Sequence, residues 1–152
     1  MVTISPDARP THDPGRLASR LRLAITRTAR RLRQEAGTDL SPSQASALST
    51  IELHGPVTPS QLAERERVQR PSATRIIARL EAAGLVTRVG AAEDARSSLV
   101  SATPQGSALM KRLRSRKNAY LARRLRELDH EEAATLDRAA EILERLLEGE
   151  RR

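Results

Sequence analysis

Thr58-Pro59-Ser60-Gln61-Leu62-Ala63, Pro71-Ser72-Ala73-Thr74-Arg75-Ile76-Ile77 and Gly84-Leu85-Val86-Thr87-Arg88 follow one another closely, and Glu93-Asp94-Ala95-Arg96 then leads on to Leu99-Val100. Thr58 has the character of a helix N-cap, with proline next and Gln61 at the capping-box position, and this short helix should end near Arg65. Arg70-Pro71 opens a second helix, since proline is tolerated in a first turn where its missing N–H has no partner to lose. That helix is expected to reach Ala83, with Ile76, Ile77 and Leu80 inward and Gly84 as left-handed C-cap. The period then changes. Leu85, Val86 and Val89 make a short strand, Gly90 to Arg96 a polar turn, and Ser97 to Ala102 a return strand. The turn is too long for a two-residue hairpin.

Upstream, Ser41-Pro42 starts another helix with Ala45, Leu48, Ile51 and Leu53 as its expected buried stripe, and Gly55-Pro56 stops it. The order over residues 38–103 is therefore helix, helix, helix, strand, turn, strand. This is the layout of a winged helix-turn-helix, which sets one helix in the major groove of DNA and a hairpin against the neighbouring backbone. Around this unit lie longer helices. One runs roughly from Gly15 to Ala36 with Leu17, Leu21, Ile25, Ala29 and Leu32 on one stripe. Another is capped by Thr103, starts at Pro104 and reaches about Leu125, with Leu109, Leu113, Tyr120, Leu121 and Leu125 in line. A last one follows Asp129, with Glu132 at the capping-box position and Ala133, Leu136, Ala140, Leu143 and Leu147 as its stripe. The expected fold is mainly α with a small β-hairpin wing. Its parts are a disordered tail over 1–14, holding Pro6, Pro10 and Pro14, a dimerisation helix over 15–37, the winged unit over 38–103, two dimerisation helices over 104–148 and a frayed end over 149–152.

Composition narrows the class. The chain has 152 residues, enough for one core, and it has no Phe, no Trp, one Tyr and no Cys. Burial must come from Leu, Ala, Ile and Val, which suits closely packed helices. No run of about 18 apolar residues and no apolar leader is present, so a cytoplasmic protein without a membrane partner is expected. The net charge of +8 favours a polyanion. It is unevenly spread, at +5 over residues 1–37, 0 over 38–103 and +3 over 104–152. The arginines of the first helix (Arg16, Arg20, Arg22, Arg27, Arg30, Arg31, Arg33) and the basic run from Lys111 to Arg126 are read as solvated faces by default. Without cysteine, a glycine-rich phosphate loop, paired carboxylates in an apolar setting or a nucleophile motif, an enzyme is not expected. His12, His54 and His130 stand singly, so no metal or other cofactor is expected either.

In this order of elements the chain resembles the MarR family of transcriptional regulators over roughly residues 16–148. The resemblance rests on Leu40, Gln44, Leu48 and Gly55; Leu62-Ala63; Thr74-Arg75 and Leu80; Gly84-Leu85-Val86 with Arg88; and Asp94-Ala95-Arg96 followed by Leu99-Val100, Thr103 and Gly106. It implies a homodimer held by the first and last two helices, a recognition helix over 70–83, and a wing arginine that enters the minor groove. One departure stands out. The turn before the recognition helix usually carries a glycine, and here it holds Arg67, so the end of the preceding helix is expected to be shaped differently. The family's cysteine-based oxidant sensing is excluded.

The expected partner is double-stranded DNA, bound at palindromic operators. Pro71, Ser72, Thr74 and Arg75 lie on the first turns of the recognition helix. Ser72 and Thr74 can bond phosphates or base edges, and Arg75 can fork onto a guanine or clamp a phosphate. Arg70 and Arg79 read as phosphate contacts or internal ion pairs. On the hairpin, Arg88, Asp94, Arg96 and Ser97 complete the set, with Asp94 bracing the turn and Arg96 reaching DNA, as the resemblance implies. The rival reading is a non-specific architectural nucleic-acid binder, against which the lack of stacking aromatics argues where RNA is concerned. A small-molecule effector at the junction of the first, second and fifth helices is implied by the resemblance alone. With one aromatic residue in the chain, its pocket would suit an amphipathic anion.

Overall fold

Six helices and one antiparallel strand pair make up the computed structural model, which describes residues 13–90 and 98–149. In chain order they are α1 (Pro14–Ala36), α2 (Pro42–His54), α3 (Pro59–Glu66), α4 (Arg70–Ala82), β1 (Val86–Val89), β2 (Leu99–Ala102), α5 (Pro104–Leu125) and α6 (His130–Glu148). The tail to residue 12, the turn over 91–97 and the last residues from Glu150 lie outside the described residues. The expectations for a disordered tail and a frayed end fall there, apart from Asp13, Pro14 and Gly149.

The N-caps explain most of these boundaries. Asp13, Ser41, Thr58, Thr103 and Asp129 each accept a first-turn backbone N–H, and Ser41, Thr58 and Asp129 form full capping boxes with Gln44, Gln61 and Glu132. The strands pair in the register Val86 to Ala102 and Val89 to Leu99. Val57, in the link between α2 and α3, adds a further bridge. Its N–H donates to the Val100 carbonyl at 3.0 Å, and the Val100 N–H donates back at 2.7 Å. Thr103 joins hairpin to α5, its N–H donating to the Leu85 carbonyl at 3.0 Å and its hydroxyl to the Gly84 carbonyl at 2.7 Å.

The core lies between α2, α3, α4, the strand pair and the first half of α5. Leu48, Ile51, Leu62, Ile77, Leu80, Val100 and Leu113 are its fully buried large side chains. Leu53 is not among them. It is 76% exposed, and Ala47 is buried instead. At 100° per residue Leu53 points about 200° away from Ile51, so Ala47, Leu48 and Ile51 share the inner face and Leu53 cannot join it. In α1 only Ala36 reaches the core, and α6 has no buried residue. α1 packs along α5, where the Tyr120 ring has the Arg31 guanidinium 5.6 Å from its centroid and that of Arg123 at 5.7 Å.

The end of α3 corrects one expectation. Arg67 itself adopts the left-handed conformation, at φ 53° and ψ 43°, and its N–H still reaches the Glu64 carbonyl at 3.2 Å. The turn keeps the geometry that a glycine would give. Glu66 helps to hold it, accepting hydrogen bonds from the Ser46 hydroxyl at 2.6 Å and from the Thr50 hydroxyl, both on α2. Arg67→Gly is therefore expected to stabilise the protein slightly. It removes a left-handed cost of about 1–2 kcal/mol, less about 0.4–1 kcal/mol for the freer unfolded chain. Urea midpoints should rise; a lower midpoint would mean that the Arg67 side chain contributes more than its backbone costs.

Candidate nucleic-acid interface

Ala73, Ile77 and Leu80 bury one face of α4, and Arg70, Thr74, Arg75, Ala78 and Arg79 are consequently turned to solvent. From Arg70 to Leu80 this exposed face holds three arginines and no acid. α4 is also the one described helix whose N-cap makes no side-chain hydrogen bond. Gln69 occupies the cap without closing it, although Ser72 and Ala73 donate to its carbonyl at 2.9 and 3.1 Å. The positive end of the helix dipole thus faces outward beside Arg70 and Arg75, a favourable setting for phosphate oxygens.

The sequence-derived residues of this helix come together. Arg75 donates to the Ser72 hydroxyl at 3.4 Å, a contact loose enough to give way to a better acceptor. The Thr74 hydroxyl donates to the Arg70 carbonyl at 3.0 Å, so its oxygen remains able to accept from a ligand. Pro71 sits in the first turn, where it costs no hydrogen bond. Across a cleft of about 250 Å³, Ser41, Ser43 and Gln44 at the start of α2 face Ser72, Arg75, Ile76 and Arg79. The sequence did not place Ser43 and Gln44 beside these residues: Ser41 read as an N-cap, and Gln44 entered only through the family resemblance. The capping box uses the Gln44 side chain on the Ser41 N–H at 2.8 Å and leaves Ser43 outward.

Arg88 is differently placed. Its Nε donates to Glu81 at 3.3 Å and its Nη1 to the buried Ser98 hydroxyl at 3.1 Å, which ties β1 to both the end of α4 and the base of β2. Its guanidinium is engaged within the hairpin base. Asp94, Arg96 and Ser97 lie outside the described residues.

A second concave region lies at the junction of α1, α2 and α5. It has a volume of about 430 Å³, with Leu40, Ala45 and Leu113 among its apolar lining and Arg30, Arg33 and Lys117 as its cations. No carboxylate lines it. Two contacts from α5 frame the junction. Arg116 donates to the Ala36 carbonyl at 2.9 Å, covering the end of α1, and Arg114 pairs with Glu52 of α2 at 2.7 Å. The hydrogen bond from Arg114 holds the Glu52 carboxyl below the usual carboxylate range, against a smaller opposing effect of desolvation. Because that pKa is depressed, the brace is present above the ordinary carboxylate range and is lost as acid protonates Glu52. Among the described residues no group of three metal-ligating side chains converges, and no helix is long and apolar enough to cross a membrane.

Three packed helices, an exposed basic recognition face and a hairpin beside it define a winged helix-turn-helix DNA-binding protein. The MarR family model matches residues 38–97. An HTH-type transcriptional regulator of Mycobacterium bovis is 43% identical over 129 residues, covering 84% of this chain and 90% of that protein. Among solved structures, a transcriptional regulator protein of Pseudomonas aeruginosa PA01 superposes with a TM-score of 0.79 at 35% identity, covering 91% of this chain and 98% of that one. Streptococcus pneumoniae FabT, in complex with DNA, has the same fold, with a TM-score of 0.68 at 21% identity over 90% of this chain and 99% of its own. The chain belongs to the MarR family and is a helix-turn-helix transcriptional regulator, not an enzyme.

Proposed function

We propose that the protein is a repressor that binds palindromic operators as a homodimer, with residues 38–103 as the reader and 15–37 and 104–148 as the dimer body. The observation that carries the DNA reading is the acid-free, uncapped start of α4, with Arg70, Arg75 and Arg79 exposed on it. Here Arg75 reads a base edge while Arg70, Ser72, Thr74 and Arg79 hold phosphates. Arg96 enters the adjacent minor groove, steadied by Asp94, with Ser97 beside it at the DNA, and Arg88 holds the hairpin base through Glu81 and Ser98. The structure of FabT with DNA supports this docking by likeness of fold.

The dimer reading rests on what the single chain leaves uncovered. Leu17, Leu21, Leu23 and Ile25 of α1 and Leu136, Ile142, Leu146 and Leu147 of α6 are all more than a third exposed. Burying the rest of each would contribute on the order of 1 kcal/mol. Over two copies that total matches or exceeds an association cost of about 4–15 kcal/mol. Two-fold symmetry then sets two α4 helices on successive major grooves, which requires an inverted repeat.

An effector would sit between α1, α2 and α5, where Arg30, Arg33 and Lys117 beside Leu40 and Leu113 suit an amphipathic anion with an aliphatic body. Selection of bound genomic fragments tests the whole reading. An inverted repeat should be enriched, and the protein should prefer it over random DNA by a factor on the order of 10³ or more. Equal binding to all fragments would favour the architectural alternative. Repeating the operator titration with aliphatic carboxylates tests the effector; release by none of them removes it.

A further inference from the structure

Among the described residues Arg67 is the one non-glycine residue at positive φ. Two backbone hydrogen bonds lock it there. Its own N–H donates to the Glu64 carbonyl at 3.2 Å, and the Val68 N–H donates to the Ala63 carbonyl at 3.0 Å. Glycine would meet this geometry without a steric penalty, so the turn itself does not call for an arginine. The fold does not use the side chain either. Arg67 is exposed, and among the described residues it joins no ion pair and no side-chain hydrogen bond. Glu66, the acid next to it, is committed to the Ser46 and Thr50 hydroxyls of α2. An exposed cation held in a costly backbone conformation, with no partner to stabilise it, points to a function outside the fold.

Its place in the chain gives that function. Arg70 opens α4 three residues later, no more than about 11 Å of chain away, and the N-cap between them makes no side-chain hydrogen bond. Resting on the DNA-binding reading of α4 above, we infer that Arg67 holds a phosphate of the operator backbone at the edge of the groove that α4 enters. Phosphates take half or more of the hydrogen bonds in such complexes, and these contacts position the protein without reading bases. The locked turn fixes where the side chain leaves the backbone, so fewer of its degrees of freedom are lost on binding. Stability given up at this turn is thus returned as affinity for DNA.

Isotherms over a series of salt concentrations test this, on the selected inverted repeat and on a random-sequence duplex. The forms compared are the parent, Arg67→Gly, Arg67→Asn and Arg67→Lys. Asparagine tolerates the left-handed turn without a charge, and lysine keeps the charge. Arg67→Gly should bind both DNAs about two- to thirtyfold more weakly, since one exposed pair is modest and a dimer loses two. The loss should be equal on the two DNAs, unlike that of a base reader. The slope of log affinity against log salt should flatten by about one per chain. Arg67→Asn should match the glycine variant, and Arg67→Lys should keep the parent slope. The urea midpoint of Arg67→Gly should meanwhile rise, so that affinity and stability move in opposite directions. A parent that binds neither duplex sinks the DNA-binding reading itself. With a parent that binds, three results overturn the phosphate contact and leave the reading of α4 standing: Arg67→Gly unchanged in affinity and slope, Arg67→Lys as weak as glycine, or affinity and midpoint falling together.

Discussion

Gly106→Ala is expected to destabilise the protein by about 2 kcal/mol, and Gly106→Val by more, even though the position lies in a helix where alanine is normally preferred. A Cβ on Gly106 would stand 2.1 Å from the Leu85 carbonyl oxygen and 3.0 Å from its carbon, both backbone atoms. Neither side can move away freely. The same carbonyl accepts the Thr103 N–H at 3.0 Å, the Thr103 hydroxyl accepts the Gly106 N–H at 3.0 Å, and that hydroxyl donates to the Gly84 carbonyl. Relief of the clash must break part of this junction between β1 and α5. Overpacking of this kind costs about 1–3 kcal/mol and sometimes more, which outweighs the gain of up to about 1 kcal/mol that alanine has over glycine in a helix. Against a total stability of about 5–15 kcal/mol, the valine variant approaches loss of the fold. Guanidinium unfolding checks it, with Gly15→Ala as the contrast, since only Asp13 side-chain oxygens lie within 4 Å of a Cβ there. An unshifted midpoint for Gly106→Ala would show that the hairpin does not press on α5.

Arg75→Ala and Arg96→Ala should weaken operator binding in different ways. Arg75 stands on the exposed, uncapped start of α4, and among the described residues its one partner is the Ser72 hydroxyl at 3.4 Å. Its loss should cost about 1–3 kcal/mol of binding, a factor of roughly five to 150, and relax preference at one position in each half-site. Arg96, on the hairpin turn, is expected in the minor groove, where attraction depends on groove width and negative potential more than on base identity. Its loss should be felt most on A·T-flanked operators. Both changes remove a cation from the interface, so both should flatten the dependence of affinity on salt. Isotherms on operators that differ only in their flanks decide the matter. If Arg96→Ala binds every flank as the parent does, the wing is not a DNA contact; if Arg75→Ala weakens all sequences alike, Arg75 holds a phosphate.

Local chemistry made the element order legible. Ser41-Pro42, Thr58-Pro59, Thr103-Pro104 and Asp129 announce helix starts through interactions made within four residues, and all four are found as N-caps. The winged helix-turn-helix class and the family follow from those starts, from the change of period at Leu85 and from the Asp94-Ala95-Arg96 pattern. Arg67 was misjudged because a rule about average residues was applied to one turn. The turn is held from outside by Glu66 on Ser46 and Thr50, and a single left-handed arginine is tolerated there. Leu53 was misjudged because hydrophobicity was read without its angle around the helix.

The amino-acid sequence by itself determined the helices, the hairpin, the aliphatic core and the basic start of the recognition helix, because capping, periodicity and side-chain charge act over a few residues. Only the tertiary structure decided which surfaces remain open. It joined Val57 to Val100 across more than forty residues and drew Arg88 into the hairpin base with Glu81 and Ser98. It set Ser43 and Gln44 across a cleft from Arg75 and Arg79, and it left the leucines of α6 without cover. Such relations depend on how separate elements pack, and packing is a property of distances that no single segment contains.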